Sequence, residues 1–281
     1  MKYLFLFSIG LSSLLFACEK KSDSLPSLKR ELVTVEGSKV EIARKKGQSP
    51  TIVLIGGFGS ELSTWNAINE RIDKSSGVFT YNRPGIGKSE NVAGTRDALT
   101  IALELDKVLQ ASGQKPPYVL VAHSMGGIYA RMYYHLFPNK VKGLCLVDAT
   151  HERQLDSLLS MVPETERQNI ITYLEQQQEE LLSKMPQGAL KEELRSNFRT
   201  NYEQIKAKPP ISNIPVYVIT SIKPTNEEPA ETKKIIAALH EEWARAAGNK
   251  GKFVTTVNSG HYIQVEEPDL AAAGIAWLLL Q

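Results

Sequence analysis

The chain has 281 residues, of which 42% are hydrophobic and 23% charged, and its formal net charge is +2. That length and apolar content suffice for one large α/β domain with an insertion and exclude a disordered chain. The near balance of charge excludes an electrostatic nucleic-acid binder, because no basic excess is available to offset phosphates.

Residues 1–17 stand apart. Lys2 precedes a mostly apolar stretch from Tyr3 to Ala17, too short for a comfortable membrane span, so the segment reads as a cleaved export signal. Its end, Leu15-Phe16-Ala17-Cys18, resembles a bacterial lipobox. The resemblance implies cleavage before Cys18, diacylation of that cysteine, and an exported protein anchored to a membrane of a bacterial cell envelope. A plain signal peptide with an incidental cysteine is the competing reading. Residues 18–30 are polar, contain Pro26, and are expected to be a tether. Cys145, inside the apolar run Val141 to Val147, is expected to be a small buried core residue outside any disulfide.

Glu31 to Val35 and Lys39 to Arg44 alternate around Glu36-Gly37-Ser38, which predicts an antiparallel hairpin. Thr51 to Ile55 predicts a buried strand running into the turn Gly56-Gly57-Phe58-Gly59-Ser60, then a helix over Thr64 to Ile72. Val78 to Tyr81 is a further strand, followed by Asn82-Arg83-Pro84-Gly85-Ile86-Gly87-Lys88-Ser89. Apolar spacing that includes Leu99, Leu103 and Leu105 predicts a helix over Thr95 to Ser112, ended by Gly113. Tyr118 to Ala122 then enters His123-Ser124-Met125-Gly126-Gly127, and a helix follows over Ile128 to Leu136. Strand, sharp turn and helix in that order lift a serine hydroxyl above a sheet, and the small residues Ala122 and Gly126 make room for the turn.

Val141 to Val147 predicts a strand ending in Asp148. Residues 151–210 are rich in Glu, Gln, Lys and Leu, lack a strand pattern, and predict a helical insertion. Val216 to Thr220 resumes the sheet, Ala230 to Ala247 is helical, Phe253 to Val257 is the last strand, and Asn258-Ser259-Gly260-His261 leads to a closing helix opened by Pro268. Strands separated by helices call for a mostly parallel sheet with its ligand edge at the strands' C-terminal ends.

The segment Ala122-His123-Ser124-Met125-Gly126 matches Gly-x-Ser-x-Gly with Ala for the first Gly, and with Asn82 to Ser89 and Ser259-Gly260-His261 it resembles the α/β-hydrolase superfamily. The resemblance implies an α/β-hydrolase core over residues 31–150 and 211–281, with residues 151–210 as a helical cap between strands 6 and 7. Its implied nucleophile is Ser124 and its implied base His261. Backbone N–H groups of Phe58 and Met125 are the implied oxyanion hole. Two departures stand out: Gly56 where the family often has His, and Asn82 where Asp is usual.

A serine hydroxyl needs a base within reach, and the base needs a carboxylate to hold its tautomer. In most members that acid follows strand 7, where Thr220 to Glu228 offers no Asp, so Asp148 at the end of strand 6 is favoured over Glu227 or Glu228. Of the other histidines, His240 is expected on a helix surface, His135 near a helix end, and His151, three residues after Asp148, in a structural role holding the cap, with membership of the site as the competing reading. No pair has metal-ligand spacing, and neither metal nor cofactor is expected. The implied activity is cleavage of a carboxylic ester, or an amide, lactone or thioester, through an acyl-serine. A serine here excludes the branches of the family with an Asp nucleophile. The competing reading is a catalytically silent lipoprotein that keeps the fold as a binding module.

Overall fold

The computed structural model describes residues 28–281. The expected signal, Cys18 and most of the tether therefore lie outside the described residues. Eight strands form one sheet in the order β1-β2-β4-β3-β5-β6-β7-β8. β1 (Lys29–Val35) and β2 (Ser38–Lys45) make the expected hairpin, with Glu36 at a φ of 50° and Gly37 at 89° in the turn. β2 also runs antiparallel to β4 (Ser76–Tyr81). All further pairings are parallel, among β3 (Gln48–Ile55), β4, β5 (Tyr118–His123), β6 (Val141–Val147), β7 (Val216–Ser221) and β8 (Gly251–Thr256). The expected hairpin followed by a parallel sheet is what forms.

The parallel strands read as continuous apolar runs because both faces are covered. Val53, Ile55, Leu120, Ala122, Leu144 and Leu146 point to one core, and Ile52, Leu54, Val119, Val121, Cys145 and Val147 to the other. This is the period of two that puts alternate side chains on opposite faces. α2 (Ala98–Ala111) and α3 (Gly126–Leu136) cover the first face. α1 (Asn66–Asn69) and α10 (Pro268–Leu279) cover the second. Each fully buried aliphatic side chain contributes about 1.5–3 kcal/mol, so the two cores account for most of the stabilisation. Cys145 is buried with a free thiol, as expected.

Several expectations need correction. The helix expected over Thr64 to Ile72 is a short 3₁₀ turn, Leu62–Trp65, followed by one turn of α-helix. Trp65 and Ile68 still reach the core, because a single turn suffices to bury both. Leu99 and Leu103 are each 40% exposed, since only one side of α2 meets the sheet. Between β6 and β7 the chain forms α4 (Gln154–Ser160), α5 (Glu164–Lys184), α6 (Ala189–Ser196) and α7 (Thr200–Lys206), with no strand. α8 (Ala230–Ala246) precedes β8, and the short α9 (Ile263–Glu266) follows it. No helix among the described residues is long and apolar enough to cross a membrane.

Candidate active site

Ser124 follows β5 at a φ of 54°, the left-handed backbone region that a non-glycine residue adopts at a cost of about 1–2 kcal/mol. Its surroundings hold it there. The Ser124 carbonyl accepts from Gly127 N at 3.0 Å and Thr150 N at 2.9 Å, and its N–H donates to Val147 O at 3.3 Å. A Cβ on Gly126 would stand 2.5 Å from the Ile55 carbonyl oxygen, and one on Gly127 2.5 Å from the Ala149 Cβ. The glycines after Ser124 are therefore required by close approach of the turn to β3 and to the end of β6.

Asp148, at the end of β6, also has positive φ, 40°. His261 Nδ1 lies 2.8 Å from Asp148 Oδ2, while Asp148 Oδ1 accepts from Ser221 N at 3.0 Å. The structure thus brings His261 and Asp148 together. Where a strand-7 acid was looked for, the chain supplies a backbone donor to Asp148 instead. Glu228 is ion-paired with buried Lys233, and Glu227 is exposed. Burial raises the Asp148 pKa, but the hydrogen bond and charge of His261, then the charges of Lys233 and His240, outweigh it and hold the carboxyl at about 2. An ionised Asp148 accepts the Nδ1–H of His261 and leaves Nε2 with its lone pair.

The loop carrying His261 is tied down from three directions. Ser221 Oγ donates to the Ser259 carbonyl at 2.7 Å, Ser259 Oγ donates to Glu267 Oε2 at 2.6 Å, and Gly260 N donates to Glu266 Oε2 at 2.8 Å. The His123 ring lies 4.5 Å from the His261 ring, and its Nε2 is 2.9 Å from the His261 carbonyl oxygen. That partner can only accept, so Nε2 carries the His123 proton. Burial, then the charge of His261, pushes the His123 pKa down to about 3, so the ring is neutral. Ser124, half-buried, is thus the chain neighbour of a ring packed on His261.

The glycine turn after β3 closes over Ser124. A Cβ on Gly57 would stand 2.9 Å from the Ser124 Cβ and 3.4 Å from its Oγ, so only glycine fits. The N–H groups of Phe58 and Met125 make no hydrogen bond among the described residues. Both are free to donate.

Sequence reasoning missed what holds this turn. Arg83, 2% exposed, donates from Nη1 to the Gly56 carbonyl at 2.8 Å and from Nη2 to that of Gly57. Its Nε donates to Glu193 Oε2 at 3.0 Å and its Nη2 to Glu193 Oε1 at 2.8 Å, and Glu193, 1% exposed, belongs to α6 of the insertion. Tyr129 Oη also donates to Glu193 Oε1, at 3.2 Å. The loss of a side chain at Gly56 is offset by a guanidinium clamp from the next strand's end. Asn82 is explained nearby: its Oδ1 accepts from Leu62 N at 2.7 Å and its Nδ2 donates to buried Glu41 at 2.8 Å, which an aspartate could not do.

The remaining histidines are away from Ser124 or already engaged. His240, expected on a surface, is 1% exposed, with Nδ1 2.8 Å from Thr220 Oγ1, because α8 turns that face onto β7. His151 accepts from Arg153 N at 3.1 Å and stacks on Trp243 of α8 at 4.6 Å. His135 is half-buried near the end of α3. No cluster of metal ligands occurs among the described residues.

The alpha/beta hydrolase fold family model matches residues 50–227. The chain is 26% identical over 250 residues to the uncharacterized protein YqjL of Bacillus subtilis, covering 86% of this chain and 88% of that protein. It is 30% identical over 133 residues to protein phosphatase methylesterase 1 of Candida albicans, covering 44% of this chain and 36% of that one. Among solved structures it resembles a thermophilic esterase from Thermogutta terrifontis, at 19% identity, a TM-score of 0.57 and coverage of 89% and 98%. It also resembles an epoxide hydrolase from Vigna radiata, at 15% identity, a TM-score of 0.66 and coverage of 92% and 100%. These likenesses to solved structures concern the fold.

Proposed function

This chain belongs to the alpha/beta hydrolase fold family, and from that premise we propose that it is a serine hydrolase cleaving a carboxylic ester through an acyl-serine intermediate. The 2.8 Å contact of His261 Nδ1 with an ionised Asp148, beside a serine on a left-handed turn, carries this reading. In it, His261 Nε2 takes the Ser124 hydroxyl proton as Oγ attacks the acyl carbon. The oxyanion is received by the free N–H groups of Phe58 and Met125, a contribution of about 3–4 kcal/mol for one donor. His261 then protonates the leaving alcohol, and water, deprotonated by the same nitrogen, releases the acid and restores Ser124. Asp148 stays ionised throughout and stabilises the imidazolium. Every step uses groups of the chain, water and substrate alone.

The methylesterase among the similar sequences supports an ester over other acyl bonds. The helical insertion α4 to α7 is proposed to select a small or medium acyl group. Treatment of the full chain with a fluorophosphonate probe tests the assignment. An adduct at Ser124, absent from Ser124→Ala and His261→Ala, supports it. A folded protein that turns over esters after Ser124→Ala would remove Ser124 from the role, and a folded protein inert to the probe and to esters would favour the binding-module reading.

The anchor is proposed separately. If Cys18 is acylated, Cys18→Ser accumulates as an uncleaved precursor without lipid, whereas unchanged mass and membrane fractionation would sink the lipoprotein reading.

A further inference from the structure

A cavity of about 530 Å³ opens where α3, the first turn after β6, the segment following α7 and α8 meet. Its volume is in the range of sites for small organic molecules, on the order of 300–1,000 Å³. None of Ser124, Asp148, His261, Phe58 and Met125 lines it. It is a recess distinct from the proposed catalytic centre, and the function proposed above does not use it.

Its walls combine an aromatic face with an excess of positive charge. Ile205, Ile211 and the half-buried indole of Trp243 supply apolar surface. The indole is held by the Arg131 guanidinium, 4.5 Å from its ring centroid, and by the stacked His151 ring. Four fixed cations line the recess, Arg131, Arg153, Lys208 and Arg245, against two carboxylates, Glu152 and Glu242. Both carboxylates are already taken: Glu152 by Arg131 Nη1 at 2.7 Å, and Glu242 by Arg153. Lys208 has no acidic partner among the described residues, and Arg245 pairs only with Glu241 on the exposed side of α8. One positive charge, that of Lys208, is therefore left without a carboxylate at the rim of the recess, and Arg245 there shares its charge with the exposed Glu241 alone.

The remaining polar wall, His135, responds to that field. Burial first, then the charges of Arg131 and Lys208, push its pKa down to about 4. At neutral pH it is an uncharged imidazole in a positive surrounding, able to donate one N–H to an anion.

We propose that this recess binds a small organic anion, with a carboxylate or phosphate monoester headgroup between Lys208, Arg245 and His135 and an apolar body against Trp243, Ile205 and Ile211. Charge complementarity selects the headgroup, and a wall with four cations against two carboxylates, of which Lys208 alone is unpaired, suits one small anion rather than a polyanion. One wall residue of the recess also reaches the elbow. Arg131 donates from Nε to the Gly127 carbonyl at 3.2 Å and from Nη2 to the Thr150 carbonyl at 3.3 Å, and the N–H groups of those two residues hold the Ser124 carbonyl.

The test is a titration of the full chain, labelled with ¹³C in its histidines and with the His135 signal assigned by a His135→Gln variant. The probes are 4-phenylbutyrate and phenyl phosphate, with neutral 4-phenylbutyramide as control. Saturable movement of the His135 signal with either anion, weakened about tenfold or more in the Lys208→Glu/Arg245→Glu double variant, supports the site, and the stronger anion identifies the headgroup. Lys208 and Arg245 lie outside the buried core, so the double variant leaves that core untouched, and Lys208→Gln/Arg245→Gln repeats the test without charge reversal. An equal response to the amide, an undiminished response in either double variant, or no saturable shift at millimolar anion overturns the proposal.

Discussion

Replacing Arg83 by Met separates two things the side chain does at once. In the native chain it neutralises Glu193, which is 1% exposed, and it holds the Gly56 and Gly57 carbonyls with two donors. A methionine there keeps most of the volume and removes both interactions. Leaving one partner of a buried pair uncompensated costs about 3–5 kcal/mol, so Arg83→Met is expected to lower unfolding stability by that amount. Adding Glu193→Leu removes the orphan charge, and the double variant is expected to recover most of the loss, since apolar replacement of a buried pair is often neutral. Reactivity follows a different rule. In the proposed mechanism the Phe58 N–H, on the turn that Arg83 clamps, is one oxyanion donor, and displacing such a donor costs about 10²–10³ in rate. The rate of Ser124 modification by a fluorophosphonate, read beside urea melts, is therefore expected to fall by up to about 10²-fold in both variants. Stability returns in the double variant; reactivity does not. A double variant that regains both would show that Arg83 serves only to dock the helical insertion, and a single variant with native reactivity would refute the clamp outright.

Asp148→Asn keeps the size of the side chain but cannot stabilise an imidazolium, and a loss of about 10⁴ in turnover is expected, by analogy with the same change in a serine protease triad. Substituting Glu227 and Glu228 by Gln is expected to cost stability through buried Lys233 while leaving turnover within about tenfold; the reverse ranking would reassign the acid. Acid titration gives a further check. Burial holds His123 and His151 at about 3 and His240 at about 4 in the folded chain, whereas unfolded histidines titrate near 6.5. The folded pKa values are depressed, so unfolding takes up protons below about pH 6.5. Stability is complete above that pH and falls on acidification, by about 2 kcal/mol per histidine at pH 5. Urea midpoints at pH 7, 6 and 5 read the slope, which His240→Gln should lessen by one proton, and stability independent of pH over this window would contradict the burial argument.

What could be read directly from the chain was what local chemistry dictates. Alternating and continuous apolar runs specify the strands, because burial on one or both faces is a period-two property of residues adjacent in sequence. Glycines after Ser124 and at Gly57 mark places where backbone must approach backbone or a serine, and that requirement is written in the residue type itself. His261 after the last strand and Asp148 after β6 were nameable for the same reason, as chemistry-bearing side chains at strand ends. The partners of those groups were not legible, because they come from positions far apart in sequence and depend on how elements pack. Arg83 meets Glu193 across 110 positions, Asp148 accepts from Ser221 across 73, and nothing in any local window pairs them. His240 illustrates the limit: its helix is evident from spacing, but which face meets β7 was decided only when α8 docked. The sequence determined the strands, the elbow and the residue types offered at the edge of the sheet; tertiary packing decided which of them meet, which charges are neutralised, and which recess keeps a surplus of positive charge.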